Sequence, residues 1–213
     1  MNALIKHLKY SFTEIASFIF SSPTQHITTL YVEKNSHPAP ETPHLWTHAL
    51  FSYKDPLVHK LVVSMKYRND TNASRVIGKC IANFIIEHLD EWKKLYGIEN
   101  FVLIPIPCSK KHKRKRGYNQ TERLVKNIHT YIPELKTSYN TLTKTKETKG
   151  QTETANKKER LQNVAHSFSV TKPVSEAVLL IDDVVTTGAT LKEARRALRE
   201  SGVNKIIAIT FAH

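Results

Sequence analysis

The chain has 213 residues, and 32 Lys and Arg against 19 Asp and Glu leave a formal net charge of +13 with His neutral. That length suits one domain with an appendage, and 40% hydrophobic against 24% charged residues excludes wholesale disorder. Two cysteines, Cys80 and Cys108, are too few for a disulfide scaffold or a four-thiolate zinc site.

Residues 4–20 place Leu4, Leu8, Phe12, Ile15 and Ile19 at helical spacing, interrupted by Lys6, Lys9 and Glu14. The pattern predicts an amphipathic helix that docks on the body or on a partner, not a signal peptide. No apolar run approaches a membrane span, so the expectation is a soluble, cytoplasmic protein. Residues 21–43, with Pro23, Pro38, Pro40 and Pro43, read as an irregular connection. His26, His37, His44, His48 and His59 are scattered without paired ligand spacing and read as surface residues. Leu50, Phe51 and Tyr53 mark a short strand. Asp55-Pro56 is an N-cap followed by proline at the first helical position, opening a helix through Leu57, Leu61, Val62 and Met65. Lys66 ends that helix, where a cation favours the dipole in any case. A longer helix over 73–95 presents Val76, Ile77, Ile81, Phe84, Ile85, Leu89 and Trp92, and Gly97 stops it.

The period then changes. Phe101, Val102, Leu103 and Ile104 form a continuous apolar run closed by Pro105 and Pro107, the pattern of a strand buried on both faces. A basic segment follows, then a helix over 120–131 with Asn119 and Glu122 spaced as a capping box. Residues 141–163 are polar, lack an apolar stripe and are expected to be mobile. Residues 167–170 read as a short strand, and 178–181 as a second buried strand. A helix over 190–201 ends at Gly202, and 206–211 give a third strand. Strand, helix and strand at this spacing make a βαβ unit in a parallel sheet, so the fold class is α/β.

The chemistry concentrates in residues 178–190. A buried strand delivers Asp182 and Asp183 to the carboxyl edge of the sheet, where open α/β proteins hold their ligands. The chain then turns through Thr186, Thr187, Gly188, Ala189 and Thr190 into a helix. Such a turn aims backbone N–H groups and three hydroxyls at one point beside the positive end of the helix dipole, which suits a phosphate monoester. Gly188 supplies backbone freedom and close approach. Carboxylates beside a phosphate make sense when they face neutral hydroxyls or a divalent cation. A ribose 5-phosphate satisfies both halves. An isolated Asp-Asp would read as a helix cap; the whole order of strand, paired acids, turn and helix points to a sugar-phosphate site.

Ile181-Asp182-Asp183-Val184-Val185-Thr186-Thr187-Gly188-Ala189-Thr190 resembles the phosphoribosyl-pyrophosphate (PRPP) motif of type I phosphoribosyltransferases. Further stretches resemble the ComF-type competence-protein family: Ile104-Pro105-Ile106-Pro107, and the basic run ending Arg116-Gly117-Tyr118-Asn119-Gln120. Gln151-Thr152, Arg160, Asn163 and Phe168 belong with these, as do Ala49-Leu50-Phe51, Tyr53 and Met65-Lys66-Tyr67. The resemblance covers residues 48–213 and implies a type I phosphoribosyltransferase fold there, a central parallel sheet flanked by helices with a small hood. Members of this branch commonly begin with a four-cysteine zinc ribbon. Residues 1–47, the amphipathic helix and Pro-rich linker, stand in that place as a hood or docking segment. Thr186 occupies the position where hypoxanthine-type relatives carry an Asp base, so a purine-type base on this loop is not implied.

What the resemblance implies is Mg²⁺-dependent displacement of pyrophosphate from ribose C1 through a transition state of oxocarbenium character. Asp182 and Asp183 would hold the ribose hydroxyls and the metal, and Thr186, Thr187, Gly188, Ala189 and Thr190 the 5-phosphate. Pyrophosphate would lie on the loop of Pro107, Cys108, Lys111, Lys113, Arg114, Arg116 and Gly117. Residues 110–116 hold six cations and no acid. Any single lysine there reads more readily as solvated than as a ligand, His112 as exposed, and Cys108 as a small buried residue rather than a reactive thiol. Residues 144–160 hold six cations and three acids and fit the closing loop of the superfamily. Arg160 is its catalytic cation, while Lys146 and Lys149 read individually as surface residues. The partners implied are PRPP and an unidentified acceptor. Alternatives are a DNA-uptake component binding single-stranded DNA through the basic loops, with competence-machinery partners, or a PRPP sensor without turnover. Oligomeric state leaves no trace in the sequence.

Overall fold

In the computed structural model, the described residues are 24, 27–42, 44–146 and 164–213, without the side chains of Lys111, His112 and Lys115. The helix expected over 4–20 lies outside them. So do Lys149, Gln151, Thr152, Arg160 and Asn163.

The first described helix, α1 (Thr29–Asn35), falls in the segment read as irregular. Thr28 caps it by accepting from the Tyr31 N–H, and Val32 is completely buried in the main core. Two turns are too short to hold themselves in water, so tertiary burial makes this helix and the local sequence does not announce it. Strand β1 (Thr47–Phe51) and helices α2 (Pro56–Tyr67) and α3 (Thr71–Tyr96) follow the expected pattern. Gly97 ends α3 in the left-handed region, at φ 62. Gly78 lets α3 approach a later helix: a Cβ there would lie 2.6 Å from the Asn127 Cβ.

Strand β2 (Phe101–Pro105) is buried throughout. The basic segment after it is a helix, α4 (Lys110–Arg116), rather than the loop expected. Straight-chain Lys and Arg have good helix propensity, and Lys110, Lys113 and Arg114 are exposed to water. Helix α5 (Gln120–Tyr131) begins at Asn119, whose side chain accepts from the Thr121 N–H and donates to Glu122 Oε1 at 3.2 Å. Strand β3 (Lys136–Thr137) lies at the sheet edge. Strands β4 (Leu142–Lys144) and β5 (Phe168–Val170) pair antiparallel, so the start of the stretch expected to be mobile is ordered. Its anchors are Leu142 and Phe168, both buried. Strand β6 (Ala177–Val184), helix α6 (Ala189–Glu200) and strand β7 (Ile206–Ala212) complete the chain, with β6 running on through the paired acids.

The central sheet has five strands in the order β1-β7-β6-β2-β3, all parallel. Alternation along the strands sorts the core into two layers. Phe101, Leu103, Leu179, Ile181, Ile207, Ile209 and Phe211 face α2, α3 and α5. Val102, Ile104, Val178, Leu180, Ile206 and Ala208 face α6 and the β4–β5 hairpin. Helices on both faces explain why these strands read as continuous apolar runs. Strands β2 and β6 are neighbours, with Pro105 opposite Ile181. From their carboxyl ends the chain departs in opposite senses, through α5 toward β3 and through α6 toward β7. The crevice between such exits is where open α/β sheets bind ligands.

Asp55 caps α2 from a buried position, accepting from the Leu57 and Val58 N–H groups at 2.8 and 3.2 Å and from His37. Burial opposes its ionisation, but the His37 and backbone hydrogen bonds outweigh it and hold its pKa below the usual aspartate value. A carboxyl with a depressed folded pKa stabilises the fold above its unfolded pKa and loses that contribution as pH falls through the folded one. Asp55→Ala should therefore cost about 1–2 kcal/mol near neutral pH. The difference from wild type should shrink below about pH 4, where the unfolded chain's carboxyl protonates. Urea unfolding at pH 7 and pH 3 checks this; equal differences at both would refute the charged cap.

Candidate functional site

Strand alternation turns Asp182 and Asp183 to opposite faces of β6. Asp183 shares the face of Ile181, toward α2, and there Lys66 meets it: Lys66 Nζ lies 2.8 Å from Asp183 Oδ1. The two side chains are 19% and 5% exposed. Asp183 Oδ2 is buried without a hydrogen-bond partner among the described residues. Asp182 Oδ1 accepts from the Asp183 N–H at 2.9 Å. Burial, and then the charge of Asp183, push the Asp182 carboxyl up to about 7, against the opposing effects of that hydrogen bond, Lys66 and Lys144. Burial works against the Lys66 ammonium, yet Asp183, with smaller help from Asp182 and Tyr53, raises its pKa above the usual value. Burial also raises the Tyr53 phenol, partly countered by Lys66. Among the described residues the site is thus a carboxylate pair, Asp183 buried and Asp182 half-buried, with the Lys66 ammonium on Asp183.

The turn after β6 is anchored by the Val185 N–H, which donates to Ala212 O at 2.9 Å. Gly188 takes φ 71 and ψ 2, the left-handed region, and starts α6. The Ala189 N–H donates to Thr187 Oγ1 at 3.4 Å, and no acid occupies the first turn of α6. The next N–H groups have no acceptor within the helix, as at every helix start. The chain therefore presents a positive, amide-rich turn directly after two carboxylates.

Strand β2 supplies the other wall. The Ile106 N–H donates to Ile181 O at 2.9 Å, and the Ile106 carbonyl accepts from Thr121 Oγ1 and Asn119 Nδ2. These bonds tie the base of the Pro107–Cys108 segment beside the paired acids. Helix α4 closes at Gly117, with φ 80. Its described cations divide. Lys113 lies 3.8 Å from Glu122, Arg116 stacks over the Tyr67 ring at 5.2 Å, and Arg114 is exposed. Cys108 is half-buried, and burial raises its thiol pKa, as fits a small wall residue rather than a nucleophile.

The structure thus brings together Asp182, Asp183 and the turn Thr186 to Thr190, with Pro107 and Cys108 at the adjoining strand end. It turns Arg116 toward Tyr67 and Lys113 toward Glu122. Sequence reasoning undervalued Lys66. The signal was present: Val58, Val62 and Lys66 are four apart, so the lysine sits on the buried stripe of α2, not on its solvated face.

A five-stranded parallel sheet flanked by helices, with paired acids at its switch point, is the type I phosphoribosyltransferase fold. Residues 115–213 match the family described as "Phosphoribosyl transferase domain". The chain resembles competence proteins of the ComF type. It is 30% identical over 158 residues to competence protein ComFC of Bacillus subtilis, across 72% of this chain and 58% of that protein. It is 34% identical over 110 residues to competence protein F of Haemophilus influenzae, across 49% and 46%. The chain therefore spans about half the length of these curated relatives. A glutamine PRPP amidotransferase from B. subtilis, solved with ADP and GMP, matches 65% of this chain and 26% of its own. That match has 19% identity and a TM-score of 0.39. No described helix is long and apolar enough to cross a membrane.

Proposed function

We propose that residues 48–213 bind PRPP with Mg²⁺ and transfer its phosphoribosyl group to a nucleophile, releasing pyrophosphate, in the cytoplasm. Residues 1–47 would serve as hood or docking segment. The observation that carries the reading is the unpartnered Asp183 Oδ2, buried beside Asp182 and immediately before the Gly188 turn. A buried acceptor without a donor is costly unless a ligand completes it. Ribose hydroxyls would donate to the acids while the 5-phosphate takes the amides and hydroxyls of Thr186 to Thr190.

The donor set also fits Mg²⁺, which is commonly held by one or two carboxylates together with substrate phosphates. Asp182 and Asp183 would hold it, and it would supply charge neutralisation to the departing pyrophosphate. The chain's own work would be to orient the ribose, anchor the phosphate and offer cations of α4, Arg116, Arg114 and Lys113, to the pyrophosphate. Arg160 would add a cation from the segment after β4. In the transfer, the C1–oxygen bond to pyrophosphate breaks and a bond from C1 to the nucleophile forms.

A second reading gains one observation. The run 110–116 holds no aromatic residue, but the fold stacks Arg116 on Tyr67 and Arg123 on Tyr118, at 5.2 and 3.8 Å. Aromatics beside cations suit single-stranded DNA, in keeping with the competence-protein relatives. Calorimetric titration with PRPP, with and without Mg²⁺, decides the first reading: Mg²⁺-dependent binding is expected, and no heat in either condition rejects it. Pyrophosphate release across bases, amines and ammonia then separates enzyme from sensor. Salt-sensitive binding of single-stranded DNA without PRPP binding would favour the second reading.

A further inference from the structure

We propose that Lys66 is a positioning residue, the resident counter-ion of the Asp182–Asp183 pair, which holds Asp183 toward the ligand and competes with divalent cations for its carboxylate. The proposal shares with the PRPP reading the view that this pair meets the ligand. It concerns what keeps the pair ready when no ligand is bound.

Two adjacent carboxylates, Asp183 buried and Asp182 half-buried, are unfavourable without a compensating charge. Lys66 provides that charge from the last turn of α2, and the turn is pinned on both sides of it. The Met65 carbonyl accepts from the Tyr118 hydroxyl. The Tyr67 ring carries the Arg116 guanidinium. Asn69, at φ 53, accepts from Arg123 Nη2 at 2.7 Å, and that guanidinium lies 3.8 Å over the Tyr118 ring. Residues 65–69 are therefore a clasp between the paired acids and the segment 116–123. The backbone that carries Lys66 is thus held by contacts to Tyr118, Arg116 and Arg123, and its ammonium starts from a fixed point beside Asp183.

The pairing has a directional consequence. Lys66 occupies Asp183 Oδ1 and leaves Oδ2 as the open acceptor. A bare divalent cation approaching that carboxylate meets an ammonium already seated on it, and the like charges repel. A ligand that brings its own negative charge offsets the repulsion. Removing the ammonium should thus help the bare metal and harm the anionic ligand, opposite signs from one substitution. A residue that merely supports the fold would weaken both.

The experiment uses the full chain, Mn²⁺ alone as a paramagnetic probe of metal binding, and PRPP with Mg²⁺ by calorimetry. Lys66→Met is expected to bind Mn²⁺ at least about threefold more tightly than wild type. It should bind PRPP about tenfold more weakly, and Lys66→Arg, which keeps the charge, should restore both values toward wild type. Unchanged or weaker Mn²⁺ affinity in a folded Lys66→Met protein overturns the proposal, as does absence of Mn²⁺ binding from both proteins. Should the Met variant not fold, Lys66→Gln takes its place, with the same expected result. If wild type ignores PRPP while Mn²⁺ tightens in the variant, the PRPP reading fails and the role of Lys66 stands.

Discussion

Asp183→Asn is expected to weaken PRPP binding on the order of a hundredfold, with little change in fold. The carboxylate keeps Oδ1 on Lys66, and its Oδ2, buried without a partner among the described residues, would be the acceptor for the ligand. Hydrogen bonds to a charged group contribute about 1.5–3 kcal/mol each, so losing one or two of that strength gives roughly this change. Asparagine retains the shape and an acceptor for Lys66, and Asp182 remains as a neighbouring acid. The fold should therefore survive, and near-wild-type thermal unfolding is the control. Calorimetry measures the effect. An affinity within about threefold of wild type would remove Asp183 from the ligand contacts.

The second large effect is expected at the other end of the ligand. Gly188→Val places a β-branched residue at φ 71, a conformation such residues rarely adopt. The strain is about 1–3 kcal/mol, which for a chain of this size lowers the unfolding midpoint by about 2–10 °C. Binding should suffer more than stability, because relief of the strain would rotate the amides proposed to face the phosphate. PRPP binding is expected to become undetectable, and with it binding of inorganic phosphate at the turn. Asp183→Asn, by contrast, should leave inorganic phosphate binding intact. Phosphate titrations of the two variants, side by side, test whether the site has these separate ends. Loss in both, or in neither, contradicts the division.

The legible parts of this protein are those governed by neighbours in sequence. Asp55-Pro56 opened a helix where expected, and α5 spans Gln120–Tyr131 as its pattern and Asn119 indicate. The turn at Gly188 and the stop at Gly97 follow from a residue that alone tolerates positive φ at little cost. Less was legible where distant contacts decide. Helix α1 exists because Val32 is buried, and the β4–β5 hairpin because Leu142 and Phe168 pack under α6. The run Lys110–Arg116 carries no apolar stripe, so its sequence signals charge but not the helix that spaces those charges.

The net charge of +13 shows the same division. Sequence alone placed much of that excess in 110–116 and 144–160, and it placed two acids and a Gly turn at the end of a buried strand. Residue order along a strand and a turn is local, so composition and spacing could carry that much. Only the tertiary structure decided which cation meets which acid. It chose Lys66, 117 positions before Asp183 in the chain, rather than any cation of the basic runs among the described residues. Packing α2 against one face of the sheet brings those groups within 2.8 Å, and no pattern within either segment encodes that meeting.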